Sequence, residues 1–315
     1  MPRIKDEDIS DAENRGRDKS PVREKGRIFF STNKNIFSSW IEVLKNYREE
    51  TLVRFSCNGL SVQTMDAAHI SYSDTVLYPN SFSIYKVNMD KTLGLKLEMI
   101  HKILSDVSTG DRITFECTEE DLASTSPHAT LTVFSSAKYS KPTKQAPDSV
   151  QIELEKEIKF NLRLLDIEPN TVAPNTVEIG AEVTVGSENF FTIVRQMASK
   201  ADVTRFIVTP LAIVFKVEED LGGIELTLKS TTADGLYQRC NINCEEGLTF
   251  KLMFALLFLN RLSPISKIAP LIKLILPKDA GDEKSPLRVT CSIVDSATKT
   301  ECGVFRFYLA QQIDD

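Results

Sequence analysis

The chain is poor in the residues that carry most covalent chemistry. It has three histidines, at 69, 101 and 128, and one tryptophan. Its six cysteines stand at 57, 117, 240, 244, 291 and 302, with no CxxC pair among them. Without histidines at suitable spacing they do not form a zinc motif, and no metal or other cofactor is expected. Free, mostly buried thiols of the kind found in intracellular proteins fit better. No glycine-rich phosphate loop is present: Gly222-Gly223 does not open a helix, and the "GDEKS" run from Gly281 is too short. The GxSxG nucleophile elbow is missing too. No apolar run approaches the roughly 20 residues that a membrane helix needs, and the longest candidate, Leu252 to Leu259, falls far short. No apolar leader opens the chain, so secretion and membrane association are not expected.

What is present is an ordinary globular balance: 315 residues, 42% hydrophobic and 26% charged. That length makes one large domain or two of average size. The net charge of −6 and pI of about 5.4 argue against a protein coated in nucleic acid. They leave room for positive charge gathered on one face. Residues 1–27 stand apart, with eight Lys/Arg, seven Asp/Glu and few apolar residues. Such a segment cannot bury enough surface to offset its ordering entropy and reads as a disordered charged tail.

Beyond the tail, hydrophobic periodicity predicts four helices. The first runs over 36–48, with Phe37, Ile41 and Leu44 on one face and Ile36, Trp40, Val43 and Tyr47 widening it. The second covers 97–106, the third 187–202 with Ser187 as its N-cap, and the fourth 248–262, stopped by Pro264. Short runs rich in β-branched and aromatic residues lie between them and predict strands. Each half of the chain thus reads helix, strands, helix, strands, a coarse internal repeat. The predicted domains are 28–163 and 181–315, joined by a connector over 164–180 whose Pro169 and Pro174 favour an extended path. The fold class is α+β: two similar domains of antiparallel sheet with two helices each.

The one pair of residues that invites a catalytic reading is Asp66 with His69, in "SVQTMDAAHI". A hydrolase would need a nucleophile converging on that pair, and nothing else in the sequence supplies one. A binding reading asks less. Met65, His69, Ile70 and Tyr72 can edge an apolar groove, methionine being soft and adaptable. Ordinary core packing of the same residues remains open at this level.

The same segment carries a resemblance. "NGLSVQTMDAAHISYSDTVL" resembles the signature of the eukaryotic-type sliding clamps, the proliferating cell nuclear antigen family. In order along the chain, "LGLKLEMIHKIL", "DRITFECT", "LTFKLMFALLFLN" and "FRFYLAQQIDD" are similar to later parts of that family. The resemblance implies a DNA clamp fold and no enzymatic activity. It implies a DNA polymerase processivity factor whose three copies close head-to-tail into a ring around duplex DNA, without regard to base sequence. The ring would pair the strands over 153–161 and 223–230. DNA polymerase, a clamp loader and peptide-bearing replication and repair proteins would be its partners. Two related readings share the fold: a subunit of a heterotrimeric checkpoint clamp, and a monomeric viral processivity factor. The location implied is the nucleus, or for a virus the host nucleus or a cytoplasmic replication site.

By the same resemblance, Lys45, Lys102, Arg195 and Lys267 are the DNA-facing basic residues. Over 36–50, 97–106, 187–200 and 248–262 there are seven Lys/Arg against six Asp/Glu, a weak positive bias. The partner peptide would dock on Met65, His69, Ile70, Tyr72, Val172, Pro286, Tyr308 and Ala310. Gln311 stands where the family usually has proline.

Overall fold

The computed structural model describes residues 25–140, 151–169, 178–219, 222–231, 240–278 and 286–312. The first half runs β1 (Arg27–Asn33), α1 (Lys34–Lys45), β2 (Glu50–Ser56), β3 (Gly59–Met65), β4 (Ser71–Leu77), β5 (Ile84–Val87), β6 (Lys91–Lys96), α2 (Leu97–Ser105), β7 (Arg112–Thr118), α3 (Glu119–Ala123), β8 (His128–Ser140) and β9 (Gln151–Arg163). The second runs β10 (Ile179–Gly186), α4 (Ser187–Ala198), β11 (Val203–Val208), β12 (Ala212–Glu219), β13 (Gly222–Lys229), β14 (Cys240–Cys244), β15 (Phe250–Ala255), α5 (Leu256–Arg261), a 3-10 turn (Ser263–Lys267), β16 (Leu271–Pro277), β17 (Leu287–Val294) and β18 (Glu301–Leu309).

The repeat read from the sequence holds at the level of strand order. The first half forms a five-stranded sheet, β5-β1-β7-β8-β9, and a run β4-β3-β2-β6. The second forms β14-β10-β16-β17-β18 and a four-stranded sheet, β13-β12-β11-β15. Element for element the two orders coincide. Single hydrogen bonds repeat as well. The amide of Leu97, opening α2, donates to Glu49 O, and that of Leu256, opening α5, donates to Asp202 O. Beyond β9, Leu165 N donates to Gly94 O; beyond β18, Gln312 N donates to Met253 O. Gly94 and Met253 each lie three residues before their helix.

What fuses the halves is the antiparallel pairing of β18 with β4, from Gly303 opposite Leu77 to Leu309 opposite Ser71. It makes one nine-stranded sheet from the second half's five strands and the first half's four. Gly303 is required there, since a Cβ would stand 2.2 Å from Val76 O. A buried relay crosses the seam: Trp40 Nε1 donates to Thr75 Oγ1 at 2.9 Å, and Thr75 Oγ1 donates to Val304 O at 3.0 Å. Tyr47, just beyond α1, sets its ring at a tilt 5.2 Å from that of Phe307 and donates its hydroxyl to Phe258 O at 3.1 Å.

The core lies beneath the helices. Phe37, Trp40, Ile41 and Leu44 of α1 are buried, as the 3.6-residue spacing predicts, and so are Leu97, Ile100 and Leu104 of α2. In the first half Phe55, Phe115 and Phe30 stack at 5.2 Å intervals. In the second, Phe206 sits 4.9 Å from Phe215 and 5.1 Å from Phe254. All six cysteines are free, and Cys117, Cys240, Cys291 and Cys302 are buried. Burial pushes the Cys117 and Cys291 thiols up to about 12, so both stay protonated and inert at neutral pH.

Three expectations are corrected. Residues 250–255 are strand, and only Leu256–Arg261 is helical. Phe250, Leu252 and Phe254 point inward with Lys251 exposed, an alternation masked by an apolar run that also satisfies a helical period. Ser187 is the first residue of α4 and not its cap. Gly186 caps the helix, and Ser187 Oγ is turned away to donate to Ala269 O. The first half has a third, short helix, α3, set by a capping box in which Thr118 and Asp121 bond each other's backbone amides.

Two outcomes are expected from the seam. Thr75→Val leaves the buried Trp40 N–H unbonded, and should lower unfolding stability by roughly 1–3 kcal/mol, with Thr75→Ser restoring most of it. Urea denaturation measures both. Tyr47 is buried and its phenol titrates well above its ordinary value, because burial penalises the phenolate. Above about pH 10 the unfolded chain gives up this proton while the folded chain keeps it, so stability falls as pH rises. Tyr47→Phe, followed by urea midpoints from pH 8 to 11, should be less stable at pH 8 and show a shallower alkaline decline.

Candidate functional site: a helical face and an outer recess

Four of the helices, α1, α2, α4 and α5, form one layer across both halves, while α3 packs apart on β7 and β8. α1 packs on α2, α4 on α5, and the turn 263–267 touches both α1 and α4. The basic residues singled out from the sequence all lie in this layer, but three of them are paired with acids. Lys102 meets Glu98 at 2.7 Å, one helical turn away. Arg195 meets Glu188 at 2.7 Å. Lys267 crosses from the second half to Glu42 of α1, also at 2.7 Å. Lys45 ends α1. The Lys102 ammonium holds the Glu98 carboxyl below its ordinary value, with smaller contributions from Lys96 and Lys45. Arg195 and Ser266 do the same for Glu188.

These contacts form a chain of alternating charges running from α2 through α1 and the turn to α4. With the observed boundaries the layer holds six Lys/Arg (34, 45, 102, 195, 261 and 267) against three Glu (42, 98 and 188). Its net charge is +3, leaving −9 for the rest of a chain of net −6. The bias is stronger than the sequence windows give. Those windows took in Glu49, Glu50 and Asp106, which lie beyond the helix ends. Solvent-exposed pairs of this kind contribute little to stability. Their carboxylates can be displaced by other anions, phosphates among them.

The second surface is the outer face of the nine-stranded sheet, away from the helices. Strand register places Ile275, Arg288, Tyr308, Tyr72 and Met65 in one cross-strand row. Pro286 and Tyr308 line a recess there with Glu178, Ile275, Pro277 and Arg288. Tyr72 adjoins it, its ring 5.8 Å from that of Tyr308. Burial raises the Tyr72 phenol above its ordinary value. Met65 faces a separate recess with Arg48, Leu52, Ile167 and Glu168. Ile70 and Ala310 meet at the end of the seam, where Ala310 N donates to Ile70 O at 2.9 Å. Val172 lies outside the described residues, in the segment that joins Glu168 of one recess to Glu178 of the other. Sequence reasoning missed Ile275, Pro277, Arg288 and Glu178. Period-two alternation gives each strand's outward residues but not which strands are neighbours.

The loop between β3 and β4 answers the question of the Asp66/His69 pair. Asp66 is buried and accepts bonds from Ala68 N at 2.9 Å, from Ser71 N, and from Ser71 Oγ at 3.0 Å. Its carboxylate is committed to holding its own turn. His69 is exposed in the left-handed region, φ 59°, and only its backbone amide reaches Asp66, at the carbonyl. The two side chains do not make a catalytic dyad.

Comparison with known proteins agrees with this architecture. Residues 31–158 match the family model described as proliferating cell nuclear antigen, N-terminal domain. The fold is similar to the crystal structure of proliferating cellular nuclear antigen from Entamoeba histolytica. The TM-score is 0.70 at 20% sequence identity, covering 91% of this chain and 99% of that one. Residues 31–158 thus match the family's N-terminal domain, and the chain as a whole has a fold similar to that of proliferating cell nuclear antigen.

Proposed function

We propose that the protein is a subunit of a DNA sliding clamp. It does no covalent chemistry; copies of it close into a ring of three around duplex DNA and tether DNA polymerase and other peptide-bearing replication and repair proteins. The observation that carries this reading is the relation between the seam and the free edges. In the internal repeat β18 corresponds to β9, and β4 to β13. Inside the chain β18 and β4 pair; their counterparts β9 and β13 are each the last strand of their sheet. Pairing β9 of one copy with β13 of the next repeats the internal junction between molecules. A head-to-tail contact whose rotation closes makes a ring and leaves neither edge bare. β13 carries exposed Ile224, and Leu211 beside it is 79% exposed. Both are apolar surfaces that such a contact would cover.

The helical layer supports the DNA half of the reading. Helix-borne cations spaced along a surface contact phosphates without reading bases, which suits a protein that must slide. Lys45, Lys102, Arg195 and Lys267 are assigned that role. The recess with Pro286, Tyr308 and Tyr72 is assigned to partner peptides. Met65, His69, Ile70, Val172 and Ala310 are assigned to the same docking surface, Val172 lying outside the described residues. Aromatic anchors in such a recess supply most of the binding energy.

Solution mass tests assembly. The chain is 35.3 kDa, and three times that mass is expected for the purified protein. Proline at Thr227 in β13, whose N–H faces away from β12, removes an edge donor and should return the monomer, with circular dichroism confirming the fold. A wild-type protein that stays monomeric at micromolar concentration overturns the ring of identical copies and favours a checkpoint-clamp subunit or a monomeric viral factor. DNA retention tests the helical face. Lys102→Glu should lower retention on closed circular DNA at moderate salt and flatten the salt dependence by about one charge per subunit, while the assembled mass stays the same. Retention indifferent to the substitution across 50–200 mM salt removes Lys102 from the DNA-facing set.

A further inference from the structure

The outer recess holds a charge that its surroundings leave unanswered. Arg288 lies on β17 directly between Ile275 of β16 and Tyr308 of β18, and it lines the recess with Pro277 and Pro286. Three other cations of this face each have a carboxylate. Arg306 meets Asp74 at 2.9 Å, Lys273 meets Glu182 at 3.3 Å, and Lys278 meets Glu178 at 3.5 Å. Among the described residues, Arg288 has no ion pair. The one acid in the recess, Glu178, is the one already taken by Lys278. Arg288 is half-buried, so it has lost part of its water without gaining a counter-ion among the described residues.

We propose that Arg288 determines the specificity of this recess, selecting peptides that carry a carboxylate side chain beside the apolar plug. This rests on the reading of the recess as a peptide-docking site and narrows its partners to one chemistry. A guanidinium presents its donors in a planar fork that a carboxylate matches with two parallel bonds. The apolar walls supplied by Ile275, Pro277, Pro286 and Tyr308 strengthen that pair as a docked peptide displaces water. The same cation disfavours a peptide with lysine or arginine at that point, since like charges would be brought together without solvent between them. The surface therefore selects by attraction and by repulsion at once.

Two synthetic peptides test this, each with a central Phe-Phe plug, one flanked by glutamates and the other by glutamines. Titration calorimetry on the full-length protein should give roughly tenfold tighter binding for the glutamate peptide at moderate salt. Arg288→Gln should abolish the difference between the two, and Arg288→Lys should restore part of it. A glutamate preference that survives Arg288→Gln overturns the proposal. So does equal binding of both peptides by the wild type that turns into a glutamate preference once Asp279, Asp282 and Glu283 are neutralised. That result means that the acids between β16 and β17 already answer Arg288. Tyr308→Ala separates the two levels. Its loss of both peptides supports docking in the recess, and binding of both peptides that ignores it overturns the docking reading itself.

Discussion

The pairing of β18 with β4 is the contact on which the rest of the molecule depends. It joins the last strand of the chain to one near its start and turns two sheets into one. Every other feature that crosses the halves is arranged around it. The Trp40–Thr75–Val304 relay pairs the buried Trp40 N–H and the Thr75 hydroxyl across the seam. Tyr47 reaches over to α5, and Lys267 reaches back to α1. The helical layer is continuous because the sheet beneath it is continuous. The outer recess exists because the seam sets Tyr72 beside Tyr308. A long-range pairing of this kind is slow to find, since loop closure comes before its contacts. It is compensated by strong local order in each half.

The internal repeat explains why a single chain has two such different kinds of edge. One pair of equivalent strands is spent inside the molecule and the other is left outside. An isolated half would expose both. Unpaired strands at sheet edges are a liability unless another chain covers them. The repeat therefore presents, at the two outer edges, strands equivalent to those that hold the halves together.

Much of this was legible in the sequence because it is written in local periodicity. α1, α2 and α4 follow from apolar residues at helical spacing. The segment 248–262 was misread because Leu252, Phe254, Leu256 and Leu259 satisfy both periods at once; only the exposed Lys251 and the pairing with β11 decide for a strand. The capping box at Thr118 was visible in the letters but marks a helix too short to show a period. The basic residues of the helical face could be named from the sequence, but their glutamate partners could not. The Glu42–Lys267 pair joins residues of different halves. Arg288 was out of reach for the same reason: its neighbours Ile275 and Tyr308 become neighbours only through strand register.

The Asp66 turn has a consequence for association. Its carboxylate ties down Ala68 and Ser71 within the folded chain, so the exposed residues that follow, His69 and Ile70, are held in place before any partner arrives. Ala310 N, bonded to Ile70 O, fixes the far side. A peptide meeting this surface does not have to freeze a loop. On the proposed reading, the loss of conformational freedom on binding would fall on the peptide alone.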